Sequence, residues 1–284
     1  MRIKPILLLG LLMVVSLSAH AAVEFKFRQM TYSDVDNLGS SDITAIATIE
    51  GGKSRVEFIK GSLYPYGTYL ISTDGSRTML VVNPTKKTYA EINHAAVAAA
   101  LGNSKIQITN LKSNLQTLSD HPEIADFPTD HYRLEMSYDM TVTFGTIPLK
   151  QTVKTVIDKW TTTAFGDVAG TLLDEGALRT GNPQLDELID AEIVKVKGFP
   201  LRQVIEISTT MYTKGAQNSQ LKLNPSRRQK TEILVSKITK KDVSTTIFDV
   251  PRGFQKLDGS QQAKEEKNPV HILNMEPATD NDGR

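Results

Sequence analysis

The chain has 284 residues, of which 33 are lysine or arginine, 32 are aspartate or glutamate and none is cysteine. This even balance of charge excludes the concentrated basic surface of a general nucleic-acid-binding protein. The missing cysteines exclude disulfides, thiol catalysis and lipidation at an N-terminal cysteine. The length suffices for one large β-rich domain or two small ones.

The first 21 residues have the three parts of a secretory signal peptide. Arg2 and Lys4 form a basic start, residues 6–17 are apolar, and Ala19-His20-Ala21 places small residues before a cleavage site. The apolar run is shorter than the roughly 20 residues that span a bilayer, which favours cleavage after Ala21 over a retained anchor. We therefore expect a periplasmic protein, with no transmembrane segment after cleavage.

Alternating apolar and polar residues predict a series of strands in the first half of the mature chain. Residues 23–28 alternate, and the pattern changes phase at Met30, so we expect a bulge or a strand end near Gln29. Further strands are predicted at residues 43–49, 55–59, 68–72, 78–82 and 88–92. Residues 93–102 are predicted to form a short helix, because Asn93 can cap its start and Gly102 its end. A broken strand at 105–118 and a loop at 120–130 follow.

The strongest pattern in the chain runs from His131 to Phe144. Its odd-numbered positions are all polar, and its even-numbered positions are all apolar: Tyr132, Leu134, Met136, Tyr138, Met140, Val142 and Phe144. Successive side chains of a strand point to opposite faces, so the pattern predicts one long strand with a single apolar face. Such a strand fits a large antiparallel sheet better than a parallel one, whose strands are covered on both faces. We expect it to pair with residues 149–160, with Phe144 opposite Leu149.

A second helix is predicted at residues 182–197. Its end is left open, because residues 193–197 also alternate with period two. Asn182 can cap this helix, and its apolar side chains share one face: Leu185, Leu188, Ile189, Ile193 and Val196. Strands are predicted at 201–212 and 228–237, and residues 245–254 close the domain. Residues 259–284 are too polar to order themselves and are expected to form a disordered tail. The expected organisation is a signal peptide at 1–21, one domain at 22–258 and the tail.

No motif for catalysis or metal binding is found in the sequence. Ser41 and Ser76 lack the Gly-x-Ser-x-Gly context and a nearby histidine base. The histidines lack the spacing of metal ligands, and His121 and His131, which flank an acidic loop, are interpreted as ordinary polar residues. The sequence therefore predicts neither an enzyme nor a bound cofactor or metal.

Five segments, by their order and spacing, resemble a family of bacterial exported domains of unknown function. The segments are Gly67-Thr68-Tyr69-Leu70-Ile71 with Asp74-Gly75, Val82-Asn83-Pro84-Thr85-Lys86-Lys87-Thr88-Tyr89, Phe127-Pro128-Thr129-Asp130-His131-Tyr132-Arg133, Gly198-Phe199-Pro200-Leu201 and Phe248-Asp249-Val250-Pro251-Arg252-Gly253-Phe254. That family is similar in fold to the periplasmic lipoprotein-localisation carriers, the LolA- and LolB-like half-barrels. The resemblance covers about residues 53–254 of this chain.

The resemblance implies an α+β, mainly β fold. It would be a large curved antiparallel sheet, or half-open β-barrel, with one or two helices across its concave face. The carriers hold acyl chains between sheet and helices, and no catalytic residues come with the family. We find no counterpart of the arginine motif by which the carriers are loaded and unloaded, so the resemblance does not imply lipoprotein shuttling.

The apolar stripe of the long strand then has two interpretations. It is either the packed core of the domain or the wall of a ligand site, for which methionine and tyrosine are adaptable lining residues. The candidate ligand-binding residues are Tyr132, Leu134, Met136, Tyr138, Met140, Val142 and Phe144 of the strand and Leu185, Leu188 and Ile189 of the helix. The leading hypothesis is a periplasmic protein that binds a hydrophobic or lipid-like ligand between sheet and helices, in envelope lipid or lipoprotein handling. The alternative is a non-enzymatic envelope interaction or scaffold module whose core is filled by its own side chains.

Overall fold

The fold is built almost entirely from strands. The computed structural model describes residues 22–34, 40–61, 64–75, 78–92, 105–144, 147–165, 187–189, 191–192, 194–214, 220–222 and 227–257. The strands are β1 (Ala22–Ser33), β2 (Ser41–Glu50), β3 (Lys53–Lys60), β4 (Tyr69–Ser72), β5 (Met79–Asn83), β6 (Thr88–Ile92), β7 (Lys105–Leu118), β8 (Glu123–Ile124), β9 (Phe127–Pro128), β10 (Asp130–Phe144), β11 (Ile147–Thr162), β12 (Phe199–Lys214), β13 (Gln220–Lys222), β14 (Arg227–Lys241) and β15 (Gln255–Lys256). A short 3-10 helix, Thr245–Phe248, precedes β15.

Thirteen of these strands form one sheet. Its order is β15-β6-β5-β4-β3-β2-β1-β14-β12-β11-β10-β7, with β13 paired to β12, while β8 and β9 form a separate small hairpin. Neighbours in the large sheet are antiparallel apart from the parallel pair β15 and β6. The described strands β7 and β15 stand at opposite ends of this order, so the sheet is curved but not closed. The predicted large, open antiparallel sheet is thus confirmed.

The long strand and its partner are confirmed, but the predicted register between them is wrong. Phe144 pairs with Ile147 instead of Leu149, Val142 pairs with Leu149, and Leu134 pairs with Ile157. The connection holds only two residues, and the prediction assumed four. Because the error is a shift of two residues, every side chain remains on its predicted face.

The bulge predicted near Gln29 is also misplaced. The first strand continues to Ser33, and the irregularity lies between Phe25 and Lys26, against Lys237 of β14, which has a positive φ of 51°. The apolar pattern breaks off at Gln29 because two polar residues take the inward positions after Phe27: Gln29, which is half-buried, and Thr31, which is 5% exposed. A buried threonine was counted as a polar surface residue.

Two further predictions, both for residues between 105 and 130, differ from the structure. Residues 105–118 form one strand, not a broken one, with an irregularity opposite Ser137 and Asp139 of β10. There Asn110 has a φ of 55° and its side-chain amide donates to the Asp139 carboxylate at 2.7 Å. The predicted loop at 120–130 contains the β8–β9 hairpin.

The second predicted helix is shorter than expected where the structure describes it. Residues 187–189 and 191–192 are helical, and residues 194–195 already form a turn. Gly198, with a φ of 92°, leads directly into β12, which begins at Phe199 rather than Leu201. The helix therefore ends before Lys197, at the earlier end that the alternation of residues 193–197 left open. The predicted signal peptide, the helix at 93–102, residues 182–186 and the tail at 259–284 lie outside the described residues.

The cross-strand pairs divide the sheet into two faces. We call the inner face the one that carries Phe27, Leu134, Ile157, Ile205 and Ile233, and the outer face the opposite one. Two apolar clusters lie on the inner face. The first, on β1, β2, β12 and β14, is joined by an aromatic group: Phe25, Phe27, Phe127, Phe165 and Phe199. The second lies on β7, β10, β11 and β12 and contains the predicted stripe.

Candidate functional site

The middle of the apolar stripe is packed core. Leu134 and Met136 are 4% and 5% exposed, and they cluster with Ile157, Ile205 and Ile189. Ile189 belongs to the helical residues 187–189, so this part of the helix packs on the inner face where it was expected to lie. This part of the stripe is already occupied by the protein's own side chains.

The stripe is more open towards the end of β10. Tyr138, Met140 and Val142 are only half-buried. Met140 pairs with the half-buried Ile108 of β7, and Val142 pairs with the half-buried Leu149 of β11. We call these five residues the open flank. They form a continuous apolar surface across three strands, next to the packed cluster.

The remaining candidate residues fall at the edges of this surface. Tyr132, at the other end of the stripe, and Leu188 of the helix are half-buried. Phe144 ends β10, but its side chain lies outside the described part of the structure, as does all of Leu185.

A polar contact that the sequence did not reveal ties the helix to the sheet. Glu192 is 8% exposed and accepts hydrogen bonds from the Ser113 hydroxyl at 3.3 Å and from the Lys195 ammonium at 2.9 Å. Ser113 lies opposite Met136 in the pairing of β7 with β10. The packing of Ile189 on the stripe is therefore reinforced by a charged hydrogen bond beside it.

Two buried polar residues interrupt the inner face between its two apolar clusters. Lys159 of β11 and Gln203 of β12 are cross-strand partners and are 4% and 1% exposed. Neither the oxygen nor the nitrogen of the Gln203 amide has a hydrogen-bond partner in the structure as described. We call this pair the polar seam. The sequence did contain an indication of the polar seam. Lys159 falls at an inward-facing position of β11, in the same alternating series as Val153, Thr155 and Ile157.

The outer face carries a charged cluster around His131. The imidazole stacks on Trp160, with ring centres 4.1 Å apart, and contacts Asp120 at 2.7 Å and Asp158 at 3.0 Å through its two nitrogens. Arg133 donates two hydrogen bonds to Asp158, at 2.8 and 2.9 Å. The imidazole, the guanidinium and the two carboxylates therefore form one hydrogen-bonded network at the start of β10.

The two carboxylates of this cluster are held in their charged form. The hydrogen bond with His131 lowers the pKa of Asp120. Burial on its own would raise the pKa of Asp158, but the hydrogen bonds and charges of Arg133 and His131 together outweigh burial and leave the pKa below its usual value. The cluster fixes the start of β10 to β11 and to the loop before it.

His121 takes no part in this cluster. Its ring contacts the Thr129 carbonyl oxygen at 3.2 Å and the Asp130 carboxylate at 3.3 Å. No group of three or more side chains suited to a metal ion is found within the described ranges.

A pocket of about 280 Å³ lies on the outer face, away from the stripe. It is lined by Thr152, Lys154, Ser208, Thr210, Tyr212 and Arg228. Three strands, β11, β12 and β14, supply this lining, which carries hydroxyl groups and two cations. Such a lining does not fit an apolar ligand, so the pocket and the stripe are separate features.

Comparisons with known proteins show a likeness in structure but not in sequence. No family model matches the chain, and no curated protein matches it. Among solved structures, the chain is similar to a LolA superfamily protein from Nitrosomonas europaea, with 9% identity and a TM-score of 0.32 over 81% of this chain and 90% of the other. The neighbour bears the name of the carriers that the sequence motifs resemble, but at this identity and TM-score no argument about function follows from it. In the ranges that the structure describes, no helix is both long and apolar enough to cross a membrane.

Proposed function

We propose that this protein binds a hydrophobic or lipid-like ligand on the inner face of its sheet, without catalysing a reaction. The observation that carries the proposal is the open flank. It presents Tyr138, Met140, Val142, Ile108 and Leu149 as a half-exposed apolar surface that continues from a packed core. Continuous apolar surface beyond the core is typical of ligand grooves and interaction sites.

The side chains of the open flank are suited to contact with a flexible apolar ligand. Methionine adapts its shape to irregular partners, and tyrosine tolerates a partly wet wall. Of the described helical residues, Ile189 packs on the neighbouring cluster. A long apolar chain would extend this packed cluster along β10, next to the helix rather than between helix and sheet.

A binding titration with a neutral apolar fluorescent probe, such as N-phenyl-naphthylamine, tests the proposal. The wild-type protein should bind the probe saturably, and Met140→Asp should weaken binding by at least about tenfold, because a carboxylate at the open flank must be desolvated against an apolar ligand.

The adjacent residue provides the matched control. Thr141 is also half-buried but lies on the outer face, so Thr141→Asp should change probe affinity by less than about twofold. Circular dichroism of both variants confirms that they remain folded. Equal loss of affinity in both variants, or no binding by the wild type, would contradict the proposal.

A second candidate function is a non-enzymatic interaction or scaffold module with a self-packed core. It is favoured by the burial of Leu134 and Met136 among the protein's own side chains. In that case the wild type binds no apolar probe, and Met140→Asp affects stability alone.

We also propose that the protein is exported and that residues 1–21 are removed. The proposal is supported by the basic start, the apolar run and the small residues before Ala22 in the sequence. N-terminal sequencing of the protein from its own cells should find Ala22 as the first residue, whereas Met1 would contradict export by cleavage.

A further inference from the structure

At the polar seam, a buried lysine and a buried amide stand side by side on the inner face. On β12, Gln203 lies between Leu201 of the first apolar cluster and Ile205 of the second. On β11, its partner Lys159 follows Ile157 of the second cluster by two residues. The seam therefore marks the boundary between the two clusters and borders the one that leads to the open flank.

Burial of the Gln203 amide at this position lowers the stability of the folded protein. A buried amide group without a hydrogen-bond partner destabilises the folded protein, because both its donor and its acceptor have lost their water. The neighbours Leu201, Ile205 and Ile233 would accommodate an apolar side chain at the same site. A group whose burial costs stability is explained when a bound molecule satisfies it.

We propose that Lys159 and Gln203 bind the anionic head group of an amphiphile whose apolar chain lies along the second cluster towards the open flank. This inference rests on the proposed function and names the class of its ligand. The Lys159 ammonium supplies a positive charge, and the Gln203 nitrogen supplies a donor for a carboxylate or phosphate oxygen. The two residues face each other across adjacent antiparallel strands, where side-chain β-carbons are about 5 Å apart, so both can reach one head group.

The seam and the open flank are arranged for such a molecule. Lys159 pairs with Tyr132 of β10, and the stripe runs from Tyr132 through the packed residues to Met140 and Val142. The head-group site and the apolar surface thus share one strand pair. A free hydrocarbon would leave the Gln203 amide unsatisfied, and the positive charge of Lys159 favours an anionic head over a neutral one.

The test compares two probes that have the same chain and different heads, oleate and oleyl alcohol. Wild-type protein should bind oleate more tightly than the alcohol. Gln203→Leu and Lys159→Met should each weaken oleate binding by about tenfold, the loss expected for a hydrogen bond to a charged group. Both variants should change the affinity for oleyl alcohol by less than about twofold. Lysophosphatidate with the same acyl chain distinguishes a phosphate head from a carboxylate.

Stability measurements separate a ligand site from a structural one. Without ligand, Gln203→Leu should raise the urea midpoint, because it removes an unsatisfied buried amide. Thr161→Val provides the structural control, since the Thr161 hydroxyl donates to the Lys197 carbonyl oxygen at 2.6 Å. It should lower the midpoint and leave the preference for oleate unchanged.

Two results overturn the inference in distinguishable ways. If Gln203→Leu lowers the midpoint and weakens both oleyl probes equally, the seam is structural, and the proposed function stands without it. If neither probe binds the wild-type protein, the proposed function fails, and the inference fails with it.

Discussion

Asp158 holds together the charged cluster on the outer face, where β10 begins. It accepts hydrogen bonds from Arg133 and from His131, and only 14% of its side chain is exposed. Removing one partner from a buried charged group costs more than an exposed ion pair contributes, because the remaining charges stay desolvated. A single residue thus controls how firmly β10 is held to β11 at this end.

The lowered pKa of Asp158 makes stability depend on pH in a defined direction. An unfolded aspartate has a pKa of about 3.9, so the folded protein binds this proton less tightly than the unfolded chain. The stabilisation is therefore complete above about pH 4 and is lost as the pH falls through the folded pKa.

Urea midpoints measured from about pH 6 down to about pH 2 should fall less steeply for Asp158→Asn than for the wild type. Glu135→Gln, at an exposed site on the neighbouring strand β10, should keep the wild-type slope. An unchanged slope in Asp158→Asn would show that this carboxylate does not contribute to acid unfolding.

At the scale of the element, the described helical residues, 187–189 and 191–192, contact the sheet through the apolar side chain of Ile189 and the charged hydrogen bond of Glu192. Ile189 is 5% exposed, whereas Val194, just beyond the helix, is 82% exposed. Ile189 packs with Leu134 and Met136, so it also determines how much of the stripe is closed.

Replacing Ile189 should therefore be costly. Ile189→Ala should lower the free energy of unfolding by about 2–5 kcal/mol, because it leaves a cavity against the stripe. Val194→Ala should change it by less than about 0.5 kcal/mol, since this side chain is exposed. Urea denaturation measures both, and similar values for the two variants would mean that the helix is not anchored by Ile189.

The same elements show how far sequence reasoning reaches. The strict alternation from His131 to Phe144 predicted a long strand and its faces, because a half-buried antiparallel strand must alternate. The register with β11 was wrong by two residues, since alternation determines faces but not the length of a turn. The bulge near Gln29 was wrong because Thr31 is buried, and alternation cannot show which polar residues are buried.

The candidate site was predicted only in part. The stripe is on one face as expected, but nothing in its pattern separated the packed Leu134 and Met136 from the half-exposed Met140 and Val142. That division depends on where the helix lies, which is a long-range contact. The polar seam was missed because Lys159 and Gln203 are 44 positions apart and meet only through the pairing of β11 with β12.

At the scale of the whole molecule, the sheet has two different ends. At the β15 end, Val250 and Phe254 pack on the outer face against Tyr69, Ile71 and Val82. At the β7 end, Ile108 of β7 is itself part of the open flank on the inner face. The curved sheet is therefore covered on opposite faces at its two ends, and the apolar surface that remains half-exposed lies near the β7 end.

The central claim is that this surface carries an apolar chain in the cell. Native mass spectrometry and organic extraction of the protein, purified from the cells that make it, test this most directly. The account predicts a co-purified amphiphile, at about one per chain, that is lost in Met140→Asp and retained in Thr141→Asp. Wild-type protein that is free of lipid when isolated, and that takes up no apolar probe or fatty acid afterwards, would contradict it.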